Sequence, residues 1–260
     1  MALRGLREVT MRGQMPHRGG PMHAATLQFL EFVPEVEQLH LSHVSVETPR
    51  QLINLMSDKK LTRFLTWWTH GDGRMLRSML SGQRLKFFKY NPGGEGFPTP
   101  HQDKLSEVHT IDLLTDSRQS LRVLKLYSTQ MSKSPLLSQF DNLELVEMPF
   151  AADLFNVIAG SEHGDVANAL RKRIPESLSA LSLRYIPSSD DVCVVLAVLA
   201  ELKRQGEFSA LKTVRLNFCR FAISPRFPPD HYNILNPALE KELIGVFNKV
   251  GLQLEVAQTD

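Results

Sequence analysis

The sequence predicts an α/β fold: a right-handed solenoid in which a curved parallel sheet is backed by helices. Two observations predict it. Short segments headed by an apolar residue recur from one end of the chain to the other, and helix-start signals fall between them. Because parallel strands need a crossover connection, usually a helix, this alternation favours one parallel sheet with helices packed against it. We expect residues 1–260 to form a single domain.

The clearest segment covers residues 121–129, Leu-Arg-Val-Leu-Lys-Leu-Tyr-Ser-Thr. Successive side chains of a strand point to opposite faces, and this segment places leucines where the strand of a leucine-rich repeat has its inward residues. The inward positions are Leu121, Leu124 and Leu126. The outward positions are Val123, Lys125 and Tyr127.

Eight further segments match the same pattern less closely. We expect strands at residues 6–11, 36–41, 61–67, 85–90, 143–148, 178–183, 211–216 and 252–256. About four or five relaxed matches would arise by chance in such a chain, so the even spread of the segments carries more weight than their number. Their spacing of about 22 to 41 residues exceeds the roughly 20 to 29 of regular leucine-rich repeats, which predicts irregular repeats.

Helix signals fall between these strands. Thr48-Pro49, Ser134-Pro135 and Asn236-Pro237 each place a capping side chain before a proline that is preset for the first helical position. Apolar spacing predicts further helices at residues 73–80, 101–115, 153–158, 166–174 and 188–202, and Gly251 is placed to end the last helix. Part of 101–115 could also be extended. Residues 91–100 and 221–231 are rich in proline and read as long loops.

An open α/β sheet of another kind is the alternative architecture, since it shares the same alternation. A doubly wound nucleotide fold usually has a glycine-rich turn after its first strand, and residues 10–18 contain no such fingerprint. The common signatures of phosphate binding, acyl transfer and metal binding are also absent from the sequence. We therefore predict no enzymatic activity, no cofactor and no metal. The remaining enzyme hypothesis is a small α/β enzyme whose residues converge only in space, such as His70, His109 and Asp112.

Composition limits the partners. The formal net charge is only +2, which gives no indication of a face that binds polyanions, so no nucleic-acid partner is predicted. The longest nearly unbroken apolar run, residues 192–200, is far shorter than the roughly 20 residues that span a bilayer, so no membrane association is predicted. Cys193 and Cys219 both lie inside apolar patterns, which favours buried thiols in a reducing compartment, the cytoplasm or the nucleus.

Four segments carry a resemblance to a known family. They are Leu-Arg-Val-Leu-Lys-Leu, Leu-Ser-Ala-Leu-Ser-Leu, Leu-Lys-Thr-Val-Arg-Leu-Asn-Phe-Cys and the closing helix that runs into Gly-Leu-Gln-Leu-Glu-Val. Over about its last 140 residues the chain resembles the leucine-rich-repeat portion of fungal F-box-like proteins.

The resemblance implies a substrate-recruiting or scaffold protein. In that family an N-terminal F-box recruits an adaptor of a ubiquitin ligase, while the repeats hold the substrate. This chain enters a repeat strand by Leu6, which leaves no room for a helical F-box, so a ligase adaptor is not an expected partner. We expect either a fragment of a longer protein or a stand-alone scaffold.

The outward side chains of consecutive strands form the candidate binding surface. The middle strands of the series carry apolar and aromatic residues outward and the end strands carry polar ones, which is the layout of a binding surface with a hydrated rim. The candidate protein-binding residues are Arg63, Leu65, Trp67, Phe87, Lys89, Val123, Lys125 and Tyr127. We predict that Trp67, Phe87 and Tyr127 anchor a protein partner on the concave face. Alternatively, these rings pack beneath the loop at 91–100 or against another domain.

Overall fold

A computed structural model describes residues 3–12, 29–42, 56, 58–67, 73–91, 112–127, 137–149, 163–184, 186, 189–219 and 237–259. The predicted loop at 221–231 and the predicted helix at 153–158 lie outside these residues, as do most of the predicted loop at 91–100 and most of the predicted helix at 101–115. The protein is α/β with parallel strands, as predicted. The chain divides into two compact units, Met1–Lys133 and Ser134–Asp260, and a single domain stays a prediction.

The first unit contains five parallel strands that follow one another in sequence order. They are β1 (Glu8–Arg12), β2 (Gln38–Ser42), β3 (Arg63–Trp67), β4 (Phe87–Asn91) and β5 (Val123–Leu126). Helix α1 (Gly73–Leu80) lies between β3 and β4, and a short 3-10 turn (Thr115–Ser117) precedes β5. Asn91, the first residue of the predicted loop, instead ends β4.

The second unit contains four parallel strands, again in sequence order. They are β6 (Leu145–Pro149), β7 (Ala180–Arg184), β8 (Thr213–Cys219) and β9 (Gln253–Thr259). The helices are α2 (His163–Arg173), α3 (Ser189–Arg204) and α4 (Pro237–Lys249), with a 3-10 turn (Leu137–Gln139) before β6. Helix α4 contacts β9 and α3, and α3 contacts α2.

The apolar residue that heads each repeat lies just ahead of its strand and fills the core. Strand β3, for example, begins at Arg63, two residues after the buried Leu61. Eight of the nine heading residues are buried: Val36, Leu61, Leu85, Leu121, Leu143, Leu178, Leu211 and Leu252. Leu6 was predicted to point inward but is 39% exposed. It precedes β1, which lies at the edge of the sheet formed by the described strands and pairs there with β2.

In β1, β3, β4 and β5, buried and accessible side chains alternate as the period of two requires. In β3, Phe64 and Thr66 are buried while the residues between and beside them reach solvent. Phe64 also stacks against Phe88 of β4, with ring centroids 6.0 Å apart. Helix α3, which is the most apolar predicted helix, is buried as expected and contributes Val192, Val195, Leu196, Leu199 and Leu202 to the core of the second unit.

A recurring hydrogen-bond pattern fixes the start of six strands, β2, β3, β4, β5, β7 and β8. The carbonyl oxygen of the residue just before a strand accepts two consecutive backbone N–H groups from the next repeat. Glu37, for example, accepts from the N–H groups of Thr62 at 2.8 Å and Arg63 at 3.1 Å. We call this arrangement the carbonyl clamp. The clamp carbonyls belong to Arg7, Glu37, Thr62, Lys86, Glu144 and Ser179.

Buried polar side chains in the first unit satisfy the backbone between repeats. The Gln83 side chain accepts a hydrogen bond from the N–H of Leu61 at 2.8 Å and donates one to the carbonyl of Met56 at 3.2 Å. The Ser117 hydroxyl donates to the carbonyl of Gln83 at 2.9 Å and accepts from the N–H of Leu85 at 3.0 Å. These bonds compensate for burying polar groups where the chain enters a strand.

Helices α3 and α4 end in the same way. Gly206 and Gly251 adopt φ values of +91° and +73° just past each helix. The N–H of Leu252 donates to the carbonyl of Phe247 at 2.9 Å, and that of Gly251 donates to Asn248 at 3.2 Å, which is a Schellman motif. The predicted role of Gly251 is therefore confirmed. Within the described part of the chain, none of the helices combines the length and the apolar character needed to cross a membrane.

Candidate protein-binding surface

The outward face of the first unit is built from three tiers of side chains. The first two tiers take one residue from each of the five strands and the third takes one from each of four, because the paired strands are in register without a shift. The first tier is Glu8, Gln38, Arg63, Phe87 and Val123. The second tier is Thr10, His40, Leu65, Lys89 and Lys125. The third tier is Arg12, Ser42, Trp67 and Asn91, and it continues at Tyr127, which directly follows β5.

All eight candidate residues lie on this face. Each is at least partly accessible, while the residues that alternate with them, such as Phe88 and Leu124, are fully buried. Trp67 is 42% exposed, which is unusual for so large an apolar side chain. The expected juxtaposition of the three anchors is therefore present on one face of one unit, although their function as a binding site stays a prediction.

Lys89 lies at the centre of this face between two aromatic rings. Its ammonium nitrogen is 5.3 Å from the ring centroid of Trp67 and 5.0 Å from that of Tyr127. Both distances are within the roughly 6 Å range of a cation–π interaction. The neighbouring strands place Trp67 on one side of Lys89 and Tyr127 on the other, so the lysine fixes the positions of two of the three predicted anchors.

The third anchor, Phe87, has a cation of its own. The guanidinium carbon of Arg63 lies 4.7 Å from the Phe87 ring centroid, and the two residues are direct neighbours in the first tier. A planar guanidinium can stack on a ring while its edge N–H groups remain able to donate hydrogen bonds. The face therefore offers apolar area and hydrogen-bond donors side by side.

The charges of the three tiers are unequal. Arg12, Arg63, Lys89 and Lys125 are cationic, and Glu8 is the one carboxylate among these fifteen outward positions. The positive charge has an effect on His40 in the second tier. Partial burial lowers the pKa of His40 below its usual value, the Lys89 ammonium lowers that pKa further, and Glu8 opposes the shift.

Sequence reasoning left His40 and Asn91 out of the candidate set. His40 was predicted to point outward but was assigned to a polar end strand, and Asn91 was assigned to a loop. Both join the face because the register places His40 beside Leu65 and Asn91 beside Trp67. The alternation of inward and outward residues along the strand was enough to place His40 on this face. Asn91 was assigned to a loop because the glycines and prolines that follow it indicate one.

The outward face of the second unit is polar and internally paired. Arg184 donates to the Glu147 carboxylate at 2.7 Å, and the Arg215 guanidinium donates to Glu255 at 2.7 Å. The Asn217 amide donates to the Ser182 hydroxyl at 2.9 Å. Glu147, Ser182 and Asn217 are at most 9% exposed. Ser182 is the register partner of Glu147 on the adjacent strand and accepts the hydrogen bond from Asn217.

The enzyme hypothesis stays a prediction, because only one of its three residues lies in the described part of the chain. His70 and His109 lie outside the described residues, while Asp112 is exposed and its backbone carbonyl accepts a hydrogen bond from Thr115. Among the described residues, no group of three His, Cys, Asp or Glu side chains is placed to hold a metal ion. Cys193, predicted to be a buried thiol, is partly accessible.

Comparison with known proteins adds no family assignment. No protein-family model matches the chain, and a search of curated proteins finds no significant match.

Proposed function

We propose that this protein is a leucine-rich-repeat-like interaction module that binds a protein partner on the outward, concave face of its first unit. Trp67, Phe87 and Tyr127 act as the anchors of that face. The protein serves as a substrate-recruiting or scaffold component in the cytoplasm or nucleus.

The observation that carries the proposal is the clustering of aromatic side chains with cations on one accessible sheet face. Binding energy at protein interfaces concentrates in Trp, Tyr and Arg side chains near the centre of the contact. Here Arg63 and Trp67 lie on β3, Tyr127 directly follows β5, and Lys89 of the intervening strand β4 contacts the rings of Trp67 and Tyr127. Rings that are already positioned lose little conformational entropy on binding.

The repeated architecture also supports the proposal. The carbonyl clamp recurs at successive strand starts, and each heading apolar residue except Leu6 fills the same place in the core. Stacked repeats of this kind build extended faces from equivalent strand positions, and such faces are used for binding.

The experiment starts with affinity capture of the partner from a native extract. The captured protein is then purified, and its Kd for the wild type is compared with its Kd for the Trp67→Ala and Tyr127→Ala variants. We expect each variant to bind at least about tenfold more weakly, because each loses a central anchor. The melting temperatures should stay close to that of the wild type, since both side chains reach solvent.

Phe32→Ala is the matched control. Phe32 is another accessible aromatic side chain of the first unit, 49% exposed, and it precedes β2 outside the three tiers. Its replacement should leave the Kd unchanged. A large drop in the melting temperature of the Trp67 or Tyr127 variant, or an unchanged Kd, would show that the rings are structural and would refute the proposal.

A further inference from the structure

We infer that strand β1 pairs antiparallel with β1 of a second copy of this chain, so that two chains form a two-fold symmetric dimer. The inference concerns the edge of the sheet and not the aromatic residues of its outward face. It goes beyond the proposed function and does not depend on it.

The main-chain groups along the outer side of β1 are the first argument. Strand β1 pairs with β2, and no other described strand pairs with it. Successive residues of a strand direct their N–H and C=O groups to alternate sides, and the Arg7 carbonyl accepts from the N–H of Gln38 at 2.9 Å. The groups of Glu8, Thr10 and Arg12 therefore point away from β2. Such a row of groups is a template for pairing with another chain.

The charges of β1 are the second argument, because its sequence, Glu-Val-Thr-Met-Arg, is complementary to itself in the antiparallel direction. When Thr10 lies opposite Thr10 of the second copy, Glu8 of each chain lies opposite Arg12 of the other. Directly opposite residues have Cβ atoms about 4.5 to 5.5 Å apart, which lets both ion pairs form. In this register the residues whose main-chain groups face the edge also become the hydrogen-bonded pairs.

The accessibility of β1 agrees with this pairing. Glu8, Thr10 and Arg12 are all exposed, whereas each outward residue of β4, which has strands on both sides, is only partly exposed. Edge strands are commonly protected by lysine, proline or a bulge. Strand β1 contains neither residue, and its register with β2 continues through all five positions. It therefore carries none of these obstacles to pairing.

Apolar side chains beside the same edge give the third argument. Leu3 and Leu6 precede β1 and are 41% and 39% exposed, although the residue in the position of Leu6 is buried in each of the other eight repeats. A second copy placed against β1 would cover apolar area in addition to forming main-chain hydrogen bonds. Because the paired strands are only five residues long, we expect a weak and reversible dimer.

Two other pairings of a second copy are disfavoured by charge and symmetry. Parallel pairing of the two β1 strands would bring Glu8 near Glu8 and Arg12 near Arg12. Pairing of β1 with β9, at the other end of the strand order, would use Glu255, whose carboxylate already accepts a hydrogen bond from Arg215 at 2.7 Å. Such a head-to-tail contact also tends to give open chains of molecules and not a closed dimer.

Sedimentation equilibrium of the full chain between about 1 and about 100 μM tests the inference. The average mass of the wild type should rise toward that of two chains. Glu8→Arg and Arg12→Glu should each weaken dimerisation at least about tenfold, because each reversal creates two like-charge pairs. An equimolar mixture of these two variants should dimerise about as well as the wild type, since the arginines of one then face the glutamates of the other.

Lys60→Glu is the control for reversing a charge. Lys60 is an exposed lysine of the same unit that lies before β3 and outside the three tiers. Its reversal should leave dimerisation unchanged.

Thr10→Pro tests the main-chain hydrogen bonds without a change of charge. The N–H of Thr10 points to the edge, so proline removes a donor to the second copy but no hydrogen bond to β2. We expect dimerisation to weaken at least about tenfold while the melting temperature stays close to that of the wild type. Val9→Pro is the comparison, because the N–H of Val9 points to β2 and its loss should lower the melting temperature.

A wild type that stays monomeric over the whole concentration range would overturn the inference, as would equal effects of Lys60→Glu and Glu8→Arg. Failure of the mixed Glu8→Arg and Arg12→Glu variants to associate would exclude the antiparallel register and overturn it too. A mass that keeps growing beyond two chains would indicate head-to-tail assembly instead. The proposed function is tested separately, by the loss of the captured partner in the Trp67→Ala and Tyr127→Ala variants.

Discussion

Lys89 contributes both to the packing of the outward face and to its proposed binding of a partner. Its ammonium group contacts the rings of Trp67 and Tyr127. Such an interaction contributes on the order of 0.5 to 1 kcal/mol where solvent has access. The same ammonium group lowers the pKa of His40, so the imidazole reports on the charge of the face.

Replacing Lys89 with glutamine should therefore raise the pKa of His40 toward its usual value. The shift should be partial, because burial is the larger cause of the lowered pKa and the substitution does not remove it. An NMR titration of the His40 imidazole in both proteins measures the change. Lys60→Gln serves as the control and should leave the titration unchanged. A His40 pKa that stays the same or falls in the Lys89 variant would contradict the electrostatic description of the face.

Gln83 is the residue on which the entry into β3 depends most. Gln83→Leu keeps a similar volume but leaves the N–H of Leu61 and the carbonyl of Met56 without this partner. Each backbone group left unsatisfied costs about 1 to 3 kcal/mol, so the free energy of unfolding should fall by at least about 2 kcal/mol. Urea denaturation measures it.

Gln205→Leu is the comparison for Gln83. The Gln205 amide donates to Glu201 at the exposed end of α3, so its loss should change the free energy of unfolding by less than about 0.5 kcal/mol. Equal effects of the two substitutions would mean that the buried amide of Gln83 does not bridge the repeats.

At the scale of the element, one glycine inside helix α4 and one just after it have opposite expected effects. Gly251 has φ = +73° and no atom within 4 Å of an added Cβ, so alanine would meet backbone strain and no steric clash. The cost is that of an L-residue in the left-handed region, about 1 to 2 kcal/mol. Gly245 lies inside the helix with similar free space, and alanine there should stabilise the protein by about 0.5 to 1 kcal/mol.

Thermal unfolding of Gly251→Ala and Gly245→Ala should thus move Tm in opposite directions. Comparing the two variants tests whether any methyl group added near this helix lowers Tm, regardless of the backbone conformation of the glycine. A fall in Tm for both variants would mean that α4 packs more tightly at Gly245 than its open surroundings indicate.

The strands could be predicted from the sequence because each is preceded by a heading apolar residue that must be buried. Leu61, Leu85 and Leu121 are each buried and lie two residues before the first residue of a strand. The sequence pattern therefore located these strands but placed each of their first residues two positions too early. The prediction failed at Leu6, since period and residue type do not show that a repeat lies at the edge of a sheet.

At the scale of the whole molecule, the two units present different outward faces. The first pairs its cations with aromatic rings, and the second pairs its cations with carboxylates, as in Arg184 with Glu147. The sequence placed the eight candidate residues on strands, but it could not reveal which polar side chains of the second unit bond one another, as Asn217 bonds Ser182. Such a bond depends on the distance between strands about 35 residues apart in the chain.

Binding should therefore be insensitive to substitutions on the second face. Thr213→Ala and Gln253→Ala change two neighbouring outward residues of β8 and β9 and should leave the Kd of the captured partner within about twofold of the wild type. Surface substitutions away from special features usually change free energies by less than about 0.5 kcal/mol. Isothermal titration calorimetry of both variants checks this. A loss of affinity comparable to that of Trp67→Ala would extend the binding surface into the second unit.

The carbonyl clamp consists only of main-chain atoms, so it places no demand on which side chains point away from the core. The outward residues of two neighbouring repeats can therefore be substituted without disturbing the main-chain hydrogen bonds that join the repeats. In evolutionary terms, mutation can change what such a sheet recognises while the scaffold stays the same. In engineering terms, Arg63, Phe87 and Lys125 are positions to randomise when this chain is given a new target.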